Sequence, residues 1–198
     1  QAGRFAFWRK ARRGANAGLR TRSGWDAGCG NGKDKIDLCG KSQQSNWRRQ
    51  FRGGALRFAR SLPEHVIFGF DEAYAEYLSD PPDLLPIIKE GRKIVCLRTF
   101  SKIHGLAGLR IGYGYGSDEL ISLLHRVRQP FNANSIAQAA ALAAVEDEDH
   151  VAFCRQANLE GMLQWEAGCR KLDLHYVPSQ ANFILVKVGN SLGVSKKL

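Results

Sequence analysis

Acidic residues are nearly missing from the first third of this chain. Residues 1–60 hold 3 Asp/Glu against 15 Lys/Arg, a net of +12, whereas residues 61–198 hold 16 against 14, a net of −2. The formal charge of +10 therefore belongs to one end. That distribution excludes a basic face spread over the whole protein and confines any nucleic-acid role to the first 60 residues. Paired cysteines are missing too. Cys29, Cys39, Cys96, Cys154 and Cys169 are odd in number and form no C-x-x-C pair. They argue against a disulfide framework and read as free thiols in a reducing cytoplasm. No run of 18 apolar residues occurs, so no membrane-spanning helix is expected. The basic N-terminus lacks an apolar signal core with a small-residue cleavage site, and its Gly and Trp content fits a transit peptide poorly. A phosphate loop is missing as well. Gly28-Cys29-Gly30-Asn31-Gly32-Lys33 fails that pattern, because Ala27 stands where the first glycine belongs and Asp34 where Ser or Thr belongs.

What is present divides at about residue 57. Residues 1–57 are Gly- and Arg-rich and follow neither the helix nor the strand period, so they read as poorly ordered. Beyond them the texture changes. Val66-Ile67-Phe68-Gly69-Phe70 and Ile94-Val95-Cys96-Leu97 are short apolar runs of the kind buried in parallel sheets. Leu109 to Gly114 is a third run, and its glycines point to close packing against the backbone. Ser117 can cap a helix whose first turn carries Asp118 and Glu119. Leu120, Ile121, Leu124 and Val127 then share a face, and Pro130 stops the helix. An alanine-rich helix follows from Asn134 or Ser135 to about Val145. Asp147-Glu148-Asp149 opens a long helix to about Leu172. Leu174–Val177 and Ala181–Val188 read as two strands around Pro178. The order predicts an α/β fold over residues 58–146 and a smaller α+β piece over residues 147–198.

Ligands of open α/β sheets collect at the carboxyl ends of the strands. Asp71 closes one predicted strand, and Lys102 lies just past the next. A lysine there can form an imine with a carbonyl, and a carboxylate can hold a protonated ring nitrogen. Ser101 and Arg110 can bind a phosphate, the arginine through its planar fork of donors. Aldehyde, pyridinium and phosphate together describe pyridoxal 5′-phosphate (PLP). Each residue has a plainer reading. Lys102 alone is a solvated charge, Asp71 a helix cap, Tyr74 a half-buried aromatic and Arg110 a surface ion pair of small consequence.

The motifs carry a resemblance. Asp71-Glu72-Ala73-Tyr74 resembles the D-E-A-Y segment of fold-type I PLP-dependent aminotransferases, and Ser101-Lys102-Ile103-His104-Gly105-Leu106-Ala107-Gly108-Leu109-Arg110-Ile111-Gly112 resembles their S-K-x-x-G-L-A-G-x-R-x-G block. Arg128-Gln129-Pro130-Phe131-Asn132 and Val177-Pro178-Ser179-Gln180-Ala181-Asn182-Phe183 are most similar to the histidinol-phosphate aminotransferase family. The resemblance implies part of a PLP-transferase large domain, a mostly parallel sheet with flanking helices, followed by the start of the C-terminal small domain. Lys102 would bind PLP covalently and later carry a proton. Asp71 would pair with the pyridine nitrogen, and Tyr74 with the 3-oxygen. Thr99, Ser101 and Arg110 would hold the phosphate. The implied reaction moves an amino group from L-histidinol phosphate to 2-oxoglutarate in histidine biosynthesis. It implies amino-phosphate and 2-oxo-acid substrates, a cytoplasmic location and homodimers with sites near the interface. His104 reads as a neighbour of the lysine and not a catalyst. Tyr77, Phe131 and Asn132 border the pocket, and Asn182 is a substrate contact or a turn residue.

The sequence also departs from that family. Its upstream N-P-N-x-P-T-G segment, ring-stacking aromatic and phosphate-binding loop are not found in residues 1–60, and Lys187, Lys196 and Lys197 do not match its C-terminal arginines. The charge step and the change of texture lead to the expectation of a truncated or misread copy, frameshifted before about Ala55, with weak or absent activity. Two other readings stand beside the enzyme: an inactive structural fragment of the same fold, and a nucleic-acid binder using the basic segment with Trp8, Trp25 and Trp47.

Overall fold

An apolar run too short for a helix is most stable when both of its faces are covered, and this chain lays such runs side by side. The computed structural model describes residues 5–8, 20–21, 36–39 and 50–197; for residues 5–8, 20–21, 36–39 and 50–53 it describes the backbone path. Three short strands come first, β1 (Phe5–Trp8), β2 (Arg20–Thr21) and β3 (Ile36–Cys39), and then helix α1 (Gln50–Ser61). Next are β4 (Ile67–Asp71), α2 (Leu85–Lys89), β5 (Ile94–Thr99) and β6 (Gly112–Gly116). Helices α3 (Asp118–Val127), α4 (Ser135–Glu146) and α5 (Glu148–Lys171) follow. The small hairpin of β7 (Tyr176–Val177) and β8 (Leu185–Val186) and the helix α6 (Ser191–Ser195) come last.

The main sheet has the order β1-β6-β5-β4-β3-β2. Strands β2 to β5 pair in parallel, and β6 runs antiparallel to both β5 and β1. The architecture is the expected α/β one, a mostly parallel sheet with helices beside it and a small α+β piece after it. Within the basic segment, β1, β2 and β3 reach the sheet although the hydrophobic pattern gives no sign of them. The phosphate-loop-like run at 28–33 and the nucleic-acid reading through Trp25 and Trp47 lie outside the described residues.

Side chains alternate across a strand, and register decides which share a face. Phe68 stands opposite Ile94 and Phe70 opposite Cys96, which itself faces Tyr115. This face carries the main core, where Phe68, Phe70, Ile94 and Cys96 pack with Leu84 and Ile87. Phe58 of α1 meets the Phe68 ring edge-on at 5.4 Å. Burial, with the nearby Glu72 charge second, pushes the Cys96 thiol up to about 12, so this cysteine is inert. A second cluster forms where α4 lays Ala137 and Ala141 over Phe100 and Ile111.

On β6 the glycines are required by the neighbouring strand. A Cβ on Gly112 would lie 2.6 Å from the Arg98 carbonyl oxygen, and one on Gly116 would lie 2.6 Å from that of Ile94. Both obstacles are backbone, so β6 itself has to move. Gly112→Ala is expected to destabilise the fold by about 1–3 kcal/mol, the usual cost of overpacking. Urea unfolding followed by circular dichroism measures it; an unchanged midpoint contradicts the close approach.

The cap at Ser117 forms as the sequence predicts, and Asn134 and Asp147 cap the two helices that follow. Ser117 accepts from the Leu120 N–H at 3.3 Å, Asn134 from Ala137 at 2.8 Å and Asp147 from His150 at 2.9 Å. Three expectations are corrected. The third strand starts at Gly112 and not Leu109, because Ala107–Leu109 form a 3-10 turn and Arg110 adopts a left-handed φ of 55°. Val127 is 74% exposed and does not share the buried face of α3, since the next residue, Arg128, is already extended. The last two strands shrink to paired dipeptides, prolonged by a bond from the Lys187 N–H to the His175 carbonyl at 2.8 Å.

Candidate active site

The parallel ladder between β4 and β5 sets the site. Asp71, the last residue of β4, stands opposite Leu97, and Thr99 ends β5 opposite Gly112 of β6. Alternation puts Asp71 and Thr99 on one face of the sheet, away from the Phe68 core. The Asp71 Oδ1 accepts from the Ala73 N–H at 3.0 Å, which turns the chain sharply after the strand. That turn delivers Tyr74, half-buried, with its ring 5.4 Å from Phe183 and edge-on to it.

From the other strand, Phe100 and Ile103 are nearly fully buried and anchor the next turn. The residues between them, Ser101 and Lys102, remain partly exposed at the surface of the crevice. Lys102 places its Nζ 5.0 Å from the centroid of the Tyr74 ring, within range of a cation–π contact. The two turns, one from each strand, therefore meet at the carboxyl edge of the sheet, the place where an open α/β sheet offers a crevice. The Thr99 Oγ1 accepts from the Ser101 N–H at 3.1 Å, and the Ser101 Oγ accepts from an Arg110 Nη at 3.3 Å. The same Nη donates to the Ala107 carbonyl at 2.6 Å, so the left-handed Arg110 folds its guanidinium back over the loop.

All six residues picked out from the sequence thus lie at the carboxyl edge of β4 and β5. The neighbours divide. Tyr77 is 6.2 Å from Tyr74, centroid to centroid. Asn182 is exposed and precedes Phe183. Phe131 and Asn132 are elsewhere: they line a separate hollow of about 570 Å³ with His125 and Arg128, which none of the six residues lines. Phe131 is 98% exposed there. The His104 ring lies tilted against Phe100, 5.1 Å between centroids. Burial, and then His150, lower its pKa.

Alternation also identifies polar residues that the motif reading passed over. Glu72 follows the Phe68/Phe70 face and is 5% exposed. Its Oε2 accepts from Arg98 Nε at 2.9 Å and from the Tyr115 hydroxyl at 2.7 Å. Arg98 also reaches Glu76 at 3.5 Å. Burial raises the Glu72 pKa, with Arg98 and Tyr115 opposing the shift. Burial works against the Arg98 cation, yet the charge and hydrogen bond of Glu72 outweigh it and raise its pKa. A charge in step with two core phenylalanines was the available signal.

Chemically, the crevice brings together a primary amine, a carboxylate, a phenol and an anion-binding group of two hydroxyls and a guanidinium. That donor set fits a ring carrying a carbonyl, a protonated nitrogen and a phosphate.

Comparison with known proteins agrees. The family model described as aminotransferase class I and II matches residues 56–198. The histidinol-phosphate aminotransferase of Akkermansia muciniphila is 53% identical over 132 residues, which make up 67% of this chain and 36% of that protein. That of Brevibacillus brevis is 49% identical over 144 residues, 71% of this chain and 40% of that protein. The crystal structure of histidinol-phosphate aminotransferase from Sinorhizobium meliloti in complex with pyridoxal-5′-phosphate superposes with a TM-score of 0.70 at 26% identity. It covers 82% of this chain and 45% of that one. The chain thus spans less than half the length of these relatives.

Proposed function

Because the chain belongs to the aminotransferase class I and II family, we propose that its crevice binds pyridoxal 5′-phosphate and serves amino transfer between L-histidinol phosphate and 2-oxoglutarate. The observation that carries this reading is the convergence of Lys102 on Tyr74, three residues after Asp71, at the edge shared by β4 and β5. The relatives' names support the choice of amino donor.

When bound, the cofactor supplies an electron sink for the charge left on the substrate carbon. The chain's own residues do the rest. Asp71 holds the ring nitrogen protonated, because a carboxylate beside a pyridinium favours the charged form. Thr99, Ser101 and Arg110 grip the phosphate, the arginine as a charged fork. The Tyr74 hydroxyl donates to the ring's 3-oxygen. Lys102 would hold the cofactor through its amine, with loss of water, and once a substrate amine replaced it the free Nζ would serve as the proton carrier at the substrate Cα.

The test is direct. The chain is mixed with PLP, the absorbance of lysine-bound cofactor is recorded, and borohydride fixes the cofactor for peptide mapping. Label on Lys102 is expected. No label at saturating PLP leaves a structural copy of the fold in place of an enzyme and overturns the proposal.

A further inference from the structure

A carboxylate buried at the edge of an apolar core needs a reason other than stability, because buried ion pairs roughly break even against well-packed hydrophobic residues. The Glu72 side chain is 2% exposed and Arg98 27%. The Glu72 Oε1 is buried and has no hydrogen-bond partner among the described residues, which makes the arrangement more costly still. A leucine or methionine in step with Phe68 and Phe70 would continue the core at less cost. The best-attested use of such a group is to fix register.

The placement fits that use. Glu72 directly follows Asp71. Arg98 directly precedes Thr99 and lies on the strand that leads to Lys102. Tyr115 lies on β6, the strand entered from Arg110. One carboxylate oxygen, bonded at 2.9 Å to β5 and at 2.7 Å to β6, therefore ties together the three strands that carry the site. The backbone adds a bond from the Glu72 N–H to the Leu97 carbonyl at 2.8 Å.

We propose that Glu72 is a positioning residue: through Arg98 and Tyr115, on the core face, it sets Asp71 against Lys102 across the sheet. The inference rests on the crevice being the PLP site. Geometry is where such a device acts, since a misplacement of about 1 Å costs up to 10²-fold in a well-oriented site.

The full chain, Glu72→Gln and Tyr115→Phe are compared by PLP titration, by borohydride label on Lys102 and by the induced circular dichroism of the bound cofactor, which reports its tilt. Glu72→Gln keeps the shape and removes the charge that holds Arg98. It is expected to weaken PLP binding about tenfold and to change the induced signal. Tyr115→Phe, which removes one hydroxyl, is expected to shift both in the same direction by a smaller factor. A purely structural role would lower the melting temperature and leave the induced signal of the folded fraction as it was, which overturns the proposal. Unchanged binding and signal in both variants also overturn it, while the crevice remains the cofactor site. Failure of the unaltered chain to take label sinks the functional reading and this inference together. Should Glu72→Gln not fold, Tyr115→Phe decides alone.

Discussion

Lys102→Ala abolishes the borohydride-fixed label and lowers any amino transfer by about 10²–10⁴-fold, the contribution of a well-placed proton carrier. The loss has two parts. The covalent hold on the cofactor disappears, although Arg110, Ser101 and Thr99 still offer their donors to its phosphate. The proton also loses its proposed carrier, the Lys102 amine. Lys102→Arg separates the parts: the guanidinium stays protonated and forms no bond to an aldehyde, so both readouts fail again. Retention of label in Lys102→Ala places the amine elsewhere in the chain. Asp71→Asn completes the set. Loss of the charge that favours a protonated ring lowers turnover by about 10²–10³-fold, as for other fixed electrostatic groups, with the label on Lys102 retained.

Phe68→Ala is expected to destabilise the fold by about 3–5 kcal/mol, the range for emptying a buried aromatic site. Phe68 is 1% exposed, and its partners come from separate elements: Phe58 on α1, Phe70 on its own strand and the Ile94 it faces on β5. None of them can close the gap without moving a strand. Against a typical stability of about 5–15 kcal/mol, this change alone can unfold a marginal protein. Denaturant titration checks it; a loss below about 1 kcal/mol would mean that the layer between the sheet and α1 is not packed as described. The effect extends to function, because the same strand ends in Asp71.

The parts of the fold legible in the sequence were those set by local chemistry. The runs at Ile67 and Ile94, the cap at Ser117, the helix starts near Asn134 and Asp147, and the carboxyl-edge placement of Asp71 and Lys102 all follow from short-range rules. What escaped depends on pairing. Strand β6 begins late because Arg110 takes a left-handed turn that no periodicity announces. The Glu72–Arg98–Tyr115 cluster needs the register of three strands before its members become neighbours. Val127 matches the apolar face by spacing, yet it is the last helical residue and lies exposed beside the extended Arg128.

Strand β6 runs against its neighbours, and this has a consequence for how the site is assembled. Because it returns beside β5, Thr99 and Gly112 end as direct partners, and the segment between them is a short closed circuit. Lys102 and Arg110 lie within that circuit, so the amine and the guanidinium come together at the small entropic cost of closing a short loop. Such sequence-near contacts form quickly. Lys102 and Arg110, the proposed anchor and anion clamp, are therefore held by one local loop, whereas Asp71 joins them only through the pairing of β4 with β5.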